Sequence, residues 1–278
     1  MRWILAGTLS GVAAFLIGLA LFLTVERKPV DPLREYPRDT PEATISSIYA
    51  ALENGEAGLI PRFIYAESPE QELVLSELGR LFGSLQRLAS TIQERFPEDV
   101  ARIKRESSTG SGGFLSALRS AGEGAQRSGA PNRTDPRFAA TLGTALADPL
   151  GWLRNARERV ATVQIADDMA AITVDNRPAF GVGMTMRREE DAWYVELPLK
   201  APGVARFAPR TVEEHQVLAS MLRVVDNTVV ELDRDLRDGK AATLDDAASL
   251  AGEKAFGPIA LVFIAYQRVM AAREAAGQ

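Results

Sequence analysis

The chain alternates long apolar stretches with patterned segments, and the pattern changes character several times along its 278 residues. Trp3 to Val25 is an unbroken apolar run without a charged residue, and it stops abruptly at Glu26-Arg27-Lys28. About 23 residues at ~1.5 Å rise make roughly 34 Å of helix, enough to cross the hydrocarbon core of a bilayer with some tilt. The run therefore predicts a transmembrane anchor over residues 1–25. Residues 26–40 carry Pro29, Pro32 and Pro37 and read as a stiff, extended spacer.

Helical periodicity begins after the spacer. Thr40 is a suitable N-cap, with Pro41 in the first helical position and Glu42 in the first turn; Ile45, Ile48, Tyr49 and Leu52 form the apolar stripe, and Gly55 stops it. A short segment from Leu59 to Tyr65 is interrupted by Pro61. Ser68-Pro69-Glu70-Gln71 has the form of a capping box, and Leu78, Leu81, Phe82, Leu85, Leu88 and Ile92 make a continuous seam behind it. Pro97 ends or bends that helix, with a short one expected from Glu98 to Lys104. Residues 41–106 are thus the helical part of the body. Residues 107–135, rich in Gly and Ser, bury too little apolar surface to offset ordering and read as a flexible insertion around a weak helix at Phe114–Ala121.

Within residues 136–200 the period falls to two. After a short helix from Asp148 through Leu153, Val163 and Ile165 lead to a turn at Asp167-Asp168, and Ala170, Ile172 and Val174 alternate. Asn176-Arg177-Pro178 breaks the run. Phe180, Val182, Met184 and Met186 alternate next, Glu189-Glu190-Asp191 turns, and Trp193, Val195 and Leu197 close the series. The reading is a four-stranded antiparallel meander with one apolar face. Residues 201–278 form a helical extension. Thr211-Val212-Glu213-Glu214 is a second capping box, followed by a seam of Leu218, Leu222, Val225, Val229, Leu232 and Leu236 at coiled-coil spacing. Thr243 starts a short helix, and Pro258 opens a last one whose run Ile259–Ala265 is too short to span a membrane. The fold class expected is α+β: an N-terminal transmembrane helix, helices packed on the meander, and a C-terminal helical extension.

The apolar run is longer than a signal-peptide core, and only Arg2 and the α-amine supply positive charge before it, which favours an uncleaved anchor. The chain contains no cysteine, so a lipobox is excluded. Arg27, Lys28, Arg34 and Arg38 would hold the following segment in the cytoplasm on a strict charge count, but long domains translocate regardless of charge, and an extracytoplasmic, periplasmic body is the expectation. Gly7, Gly11, Ala14 and Gly18 share one helix face, and Gly7-x-x-x-Gly11 is the spacing that lets two helices approach closely in lipid. The partners expected are the bilayer, through residues 3–25, and a second copy or an envelope protein.

Net charge is −5 and pI about 5.2, which argues against nucleic acid as a partner. The absence of cysteine also removes zinc–thiolate sites, disulfides and thiol catalysis.

Two stretches resemble the NTF2-like superfamily, in particular its bacterial DUF4878-type members of unknown function. One is Thr40-Pro41-Glu42-Ala43-Thr44 leading to Ala50-Ala51-Leu52-Glu53-Asn54-Gly55, and the other is Glu190-Asp191-Ala192-Trp193-Tyr194-Val195-Glu196-Leu197. The resemblance implies helices packed into the concave side of a curved sheet around a conical pocket. It departs from this chain in the long insertion between the two stretches and the helical extension after them. Members include isomerases, dehydratases and binding domains, so the fold carries no reaction by itself.

Candidate chemistry is sparse. His215 is the only histidine and sits in a capped first turn. Asp233, Asp235 and Asp238 with Gly239 depart from the calcium-loop pattern, since Arg237 occupies the fifth position and the glycine falls one place late. Gly110-Ser111-Gly112-Gly113 lacks the Lys-Ser or Lys-Thr of a phosphate loop. Phe180, Met184, Met186 and Trp193 are the candidate lining of an apolar pocket, with sheet-to-helix core as the plainer reading. No cofactor, metal or catalytic residue is indicated. The expected function is a membrane-anchored, non-enzymatic binding or scaffold protein; the alternatives are an NTF2-like enzyme acting on a small hydrophobic substrate and a structural component of an envelope complex.

Overall fold

A computed structural model describes residues 31–107, 146–179, 183–201, 204–205 and 208–275. The segment expected to be an anchor, with Gly7, Gly11, Ala14 and Gly18, and the Gly/Ser-rich stretch lie outside the described residues, as does Phe180. Among the described residues no helix is long and apolar enough to cross a membrane. The chain divides into a first unit ending at Glu35 and a second from Tyr36 onward. In the first, Asp31 closes a turn by accepting the backbone N–H groups of Leu33 and Arg34.

The second unit is α+β. Helix α1 (Pro41–Glu53) begins where Thr40 Oγ1 accepts from Ala43 N, and a 3₁₀ segment, Ala57–Phe63, follows with Pro61 inside it. Helix α2 (Pro69–Arg95) is capped by Ser68, and α3 (Pro97–Ser107) continues after the break at Phe96. Helix α4 (Gly151–Ala156) and a 3₁₀ turn lead into the strands β1 (Val160–Ala166), β2 (Met169–Val174), β3 (Arg177–Pro178), β4 (Met184–Glu189) and β5 (Ala192–Glu196). Helices α5 (Val212–Arg237) and α6 (Leu244–Ala275) complete the chain.

The sheet order is β1-β2-β4-β5, antiparallel throughout, with β3 folded back on β2. The expected meander is present, with two local differences. The residues Asp175-Asn176 both take positive φ (53° and 61°), so the chain turns there and Arg177-Pro178 pairs back on Val174 and Thr173. Short polar side chains such as Asp and Asn tolerate this left-handed region, which a two-residue hairpin requires. The third long strand accordingly starts late, at Met184, and extends to Glu189. Its end is fixed by Glu190, also at positive φ (54°).

Pairing register assigns the two faces. Ala170 lies opposite Met186, Met186 opposite Val195, and Ile172 opposite Met184. With Trp193, these residues form the inner face, on which α1 lies: Thr44 Oγ1 reaches Trp193 O, and Glu42 accepts from Thr162 Oγ1.

The second packing centre is helical. Leu81, Leu85, Leu88 and Ile92 of α2 meet Val229, Leu232 and Leu236 of α5, and Leu244, Ala247 and Ala251 of α6 close over them. The coiled-coil-like seam of α5 is thus occupied by α2 of the same chain. Helix α6 runs without interruption through Pro258, where the spacing predicts a new start. A proline inside a helix loses one backbone hydrogen bond and crowds the residue before it. In the sequence that residue is Gly257.

Candidate interaction surface

The opposite, outer face of the sheet is built from the alternate residues. β5 supplies Tyr194, β4 supplies Arg187 directly opposite it, and β2 supplies Met169 opposite Arg187. Tyr65 joins them because its segment runs along the β5 edge: Ile64 forms a parallel bridge with Val195, and Tyr65 N donates to Val195 O. The other free group of that edge, Trp193 N, donates to Arg38 O at 2.7 Å.

These connections assemble a stack. The Arg187 guanidinium sits 4.2 Å from the Tyr65 ring centroid, Tyr65 meets Tyr194 edge-on at 6.4 Å, and the Arg38 guanidinium lies 5.1 Å from the Tyr194 centroid. Arg38 also donates to Tyr194 Oη at 2.9 Å. Arg187 Nε is buried without a hydrogen-bond acceptor among the described residues; the guanidinium is instead placed between the π face of Tyr65 and the Glu189 carboxylate, 3.7 Å from its Nη2. At the β1 side the same face carries uncovered apolar side chains, Val163 at 54% exposed and Met169 at 41%, and Ile165, the unpaired residue of the β1 bulge, is 60% exposed.

The sequence-predicted pocket residues lie on the inner face. Met186 (0% exposed) and Trp193 (3%) are buried in the sheet–helix layer, and Met184 is half-buried. A separate, shallow groove of about 420 Å³ lies between α5 and α6, lined by Glu213, Gln216, Val217, Ser220, Met221, Val224 and Ala265.

The other candidates have local partners. His215 Nδ1 lies 2.8 Å from Thr211 O, its own helix cap. Asp233 accepts from Thr91 Oγ1 and pairs with Arg237, while Asp235 is held by Lys240 at 2.6 Å and Lys254 at 2.8 Å. These ammonium groups hold the Asp235 carboxyl below the usual range, Lys240 contributing most. Asp233 and Asp235 are thus neutralised by the chain's own cations, and Asp238 is the exposed C-cap of α5. Among the described residues no group of three or more His, Cys, Asp or Glu side chains is arranged to hold a metal.

Sequence reasoning found the meander but not the stack. Arg187 and Tyr194 were legible as the outward partners of Met186 and Val195. Tyr65 and Arg38 were not, because they reach the sheet through single backbone contacts to β5 that leave no periodic signal. No protein-family model, curated protein or solved structure matches this chain.

Proposed function

We propose that the chain is a membrane-tethered, non-enzymatic binding and scaffold protein, held by residues 3–25 with its body on the extracytoplasmic side, whose receiving surface is the outer face of the sheet. The observation that carries this reading is the Arg187–Tyr65–Tyr194–Arg38 stack beside exposed Met169. Tyrosine and arginine dominate the energetic centres of protein interfaces, because each offers a broad apolar surface with polar groups at its end. Rings and guanidinium groups already locked against one another lose little further freedom when a partner docks. The partner is therefore a protein that lays apolar side chains over the ring–guanidinium stack. Burial of Met186 and Trp193 in the opposite layer favours binding over chemistry inside the sheet. The NTF2-like resemblance fits a helix laid across one face of an antiparallel sheet, and that superfamily includes binding domains.

The test is extraction of the full chain from its own membranes with surrounding lipid, followed by mass analysis of what remains bound. A partner retained by the wild type and by Glu94→Lys on the exposed side of α2, but reduced at least tenfold by Arg187→Glu and by Met169→Asp, supports the reading. Retention unaffected by either sheet-face substitution overturns it.

A further inference from the structure

The outer face changes character along its strands. Tyr194, Arg187 and Met169 form one cross-strand row, and Thr185 and Ala171 lie in the row behind it. Ahead of it both hairpins turn at the same end of the sheet. Asp167-Asp168 joins β1 to β2, Glu190-Asp191 joins β4 to β5, and Arg188 N donates to Asp168 O at 2.9 Å. Together with Glu189 these turns gather five exposed carboxylates. Acidic residues are ordinary in turns, but here the chain supplies little to balance them. Arg187 comes no closer than 3.7 Å to Glu189, and Arg188 no closer than 3.8 Å to Asp191. Asp167, Asp168 and Glu190 have no ion-pair partner among the described residues. At the other end of β1 and β2, by contrast, Asp175 is held by Arg159 with Arg177 beside it.

We infer that the partner of the outer face is a basic protein segment. Its apolar side chains lie on Met169, Ala171 and the ring–guanidinium stack, and its lysine or arginine side chains lie over the two acidic turns. The inference rests on the reading of this face as a receiving surface and adds charge and direction to it. Charge complementarity selects the occupant. A partner that covers the stack necessarily approaches the turns, because two residues along a strand span only ~7 Å and Glu189 stands two beyond Arg187. An acidic segment placed there meets uncompensated carboxylates, whereas a cation completes them. A second copy would bring the same acidic turns, and an anionic lipid surface would be repelled by them. Charges at the rim of an apolar contact act mainly on the encounter rate and on salt dependence, and they exclude partners of the wrong sign.

The test uses the full chain in its own membranes. Asp167→Asn, Asp168→Asn and Glu190→Gln combined keep the size of the side chains and the turn preference while removing three charges. Partner retention by the wild type is expected to fall at least tenfold from ~0.1 M to ~1 M salt, as the screening length shrinks from ~10 Å to ~3 Å. Retention by the neutral variant is expected to start several-fold lower and to respond little to salt. Arg177→Gln, at the other end of the strands, is expected to behave as the wild type. A photoreactive benzoylphenylalanine at position 190 is expected to attach to a peptide of another protein. Synthesised as found, that peptide is expected to bind the wild-type chain at least tenfold more tightly than the same peptide with its Lys and Arg residues replaced by Glu. Salt-independent retention, equal retention by the neutral variant, equal binding of the two peptides, or attachment only to lipid or to a second copy each overturns the inference. If Arg187→Glu and Met169→Asp still abolish retention in that case, the receiving face stands and only the basic partner falls; if they do not, both readings fall.

Discussion

A methyl group placed on Gly79 would lie 2.6 Å from the carbonyl oxygen of Gly58. The 3₁₀ segment therefore crosses α2 backbone to backbone, which sets the distance between the sheet layer and the helical layer. Gly83, one turn further along, has only ordinary contacts at 3.5 Å and beyond. Exchanging a helical glycine for alanine gains about 1 kcal/mol in propensity. Gly83→Ala is expected to be neutral or stabilising, and Gly79→Ala to lose about 1–3 kcal/mol through overpacking. Denaturant melts of the two variants check this; equal effects would refute the close approach.

Gln86 holds the same junction from the side. Its Oε1 accepts from Ala57 N at 2.8 Å and its Nε2 donates to Leu52 O at 3.0 Å, both on fully or nearly fully buried residues. Gln86→Leu leaves the buried Ala57 N without a partner, at a cost of about 1–3 kcal/mol, while Leu52 O keeps only the longer bond from Gly55 N at 3.4 Å. The expected outcome is a lowered melting temperature with faster amide exchange at Ala57 than at the α5 core.

Arg273, near the end of α6, reaches Glu214 at 3.3 Å and Ala208 O at 3.1 Å, and both charged side chains are buried. Glu214 also receives Arg210 N and Thr211 N, completing the capping box of α5. Removing one member of a buried pair leaves the other uncompensated, so Arg273→Met is expected to destabilise by roughly 3 kcal/mol. Glu214→Gln keeps the cap and is expected to cost less. Parallel chemical denaturation of the two variants ranks them, and the reverse order would contradict the arrangement.

Asp235 links stability to pH. Lys240 and then Lys254 lower its pKa in the folded chain. A carboxyl whose folded value lies below its unfolded one adds stability above the unfolded value near ~3.9, and that contribution fades as pH falls through the folded value. The difference in stability between wild type and Asp235→Asn is expected to be constant from pH ~5 to 8 and to shrink below pH ~4. Lys254 shifts upward, chiefly through the same bond to Asp235, so its share is lost only in strong alkali. Urea melts of both chains from acid to pH ~8 measure the acid limb.

Caps and periods were the legible part of the fold. Thr40, Ser68 and Thr211 start their helices where the sequence places them, because an N-cap bond is local. The β-period gave the strand order for the same reason. The late start of β4 was hidden, since it depends on left-handed backbone at Asp175 and Asn176. The unbroken α6 was hidden because residue-by-residue rules treat Gly257 and Pro258 as two breakers, whereas the helix runs from Leu244 to Ala275. The Tyr65–Arg187 contact joins residues distant in sequence through one bridge, Ile64 to Val195, which no periodicity encodes.

The central claim is that the outer sheet face receives a protein partner, and Tyr194 stands in the middle of that face. A photoreactive benzoylphenylalanine replacing Tyr194 keeps an aromatic ring there. Irradiated in native membranes, the full chain is expected to form one discrete adduct to another protein, abolished by Arg187→Glu, while the same probe at Glu94 forms none. The absence of a protein adduct at position 194, or an adduct that persists with Arg187→Glu, would contradict the account.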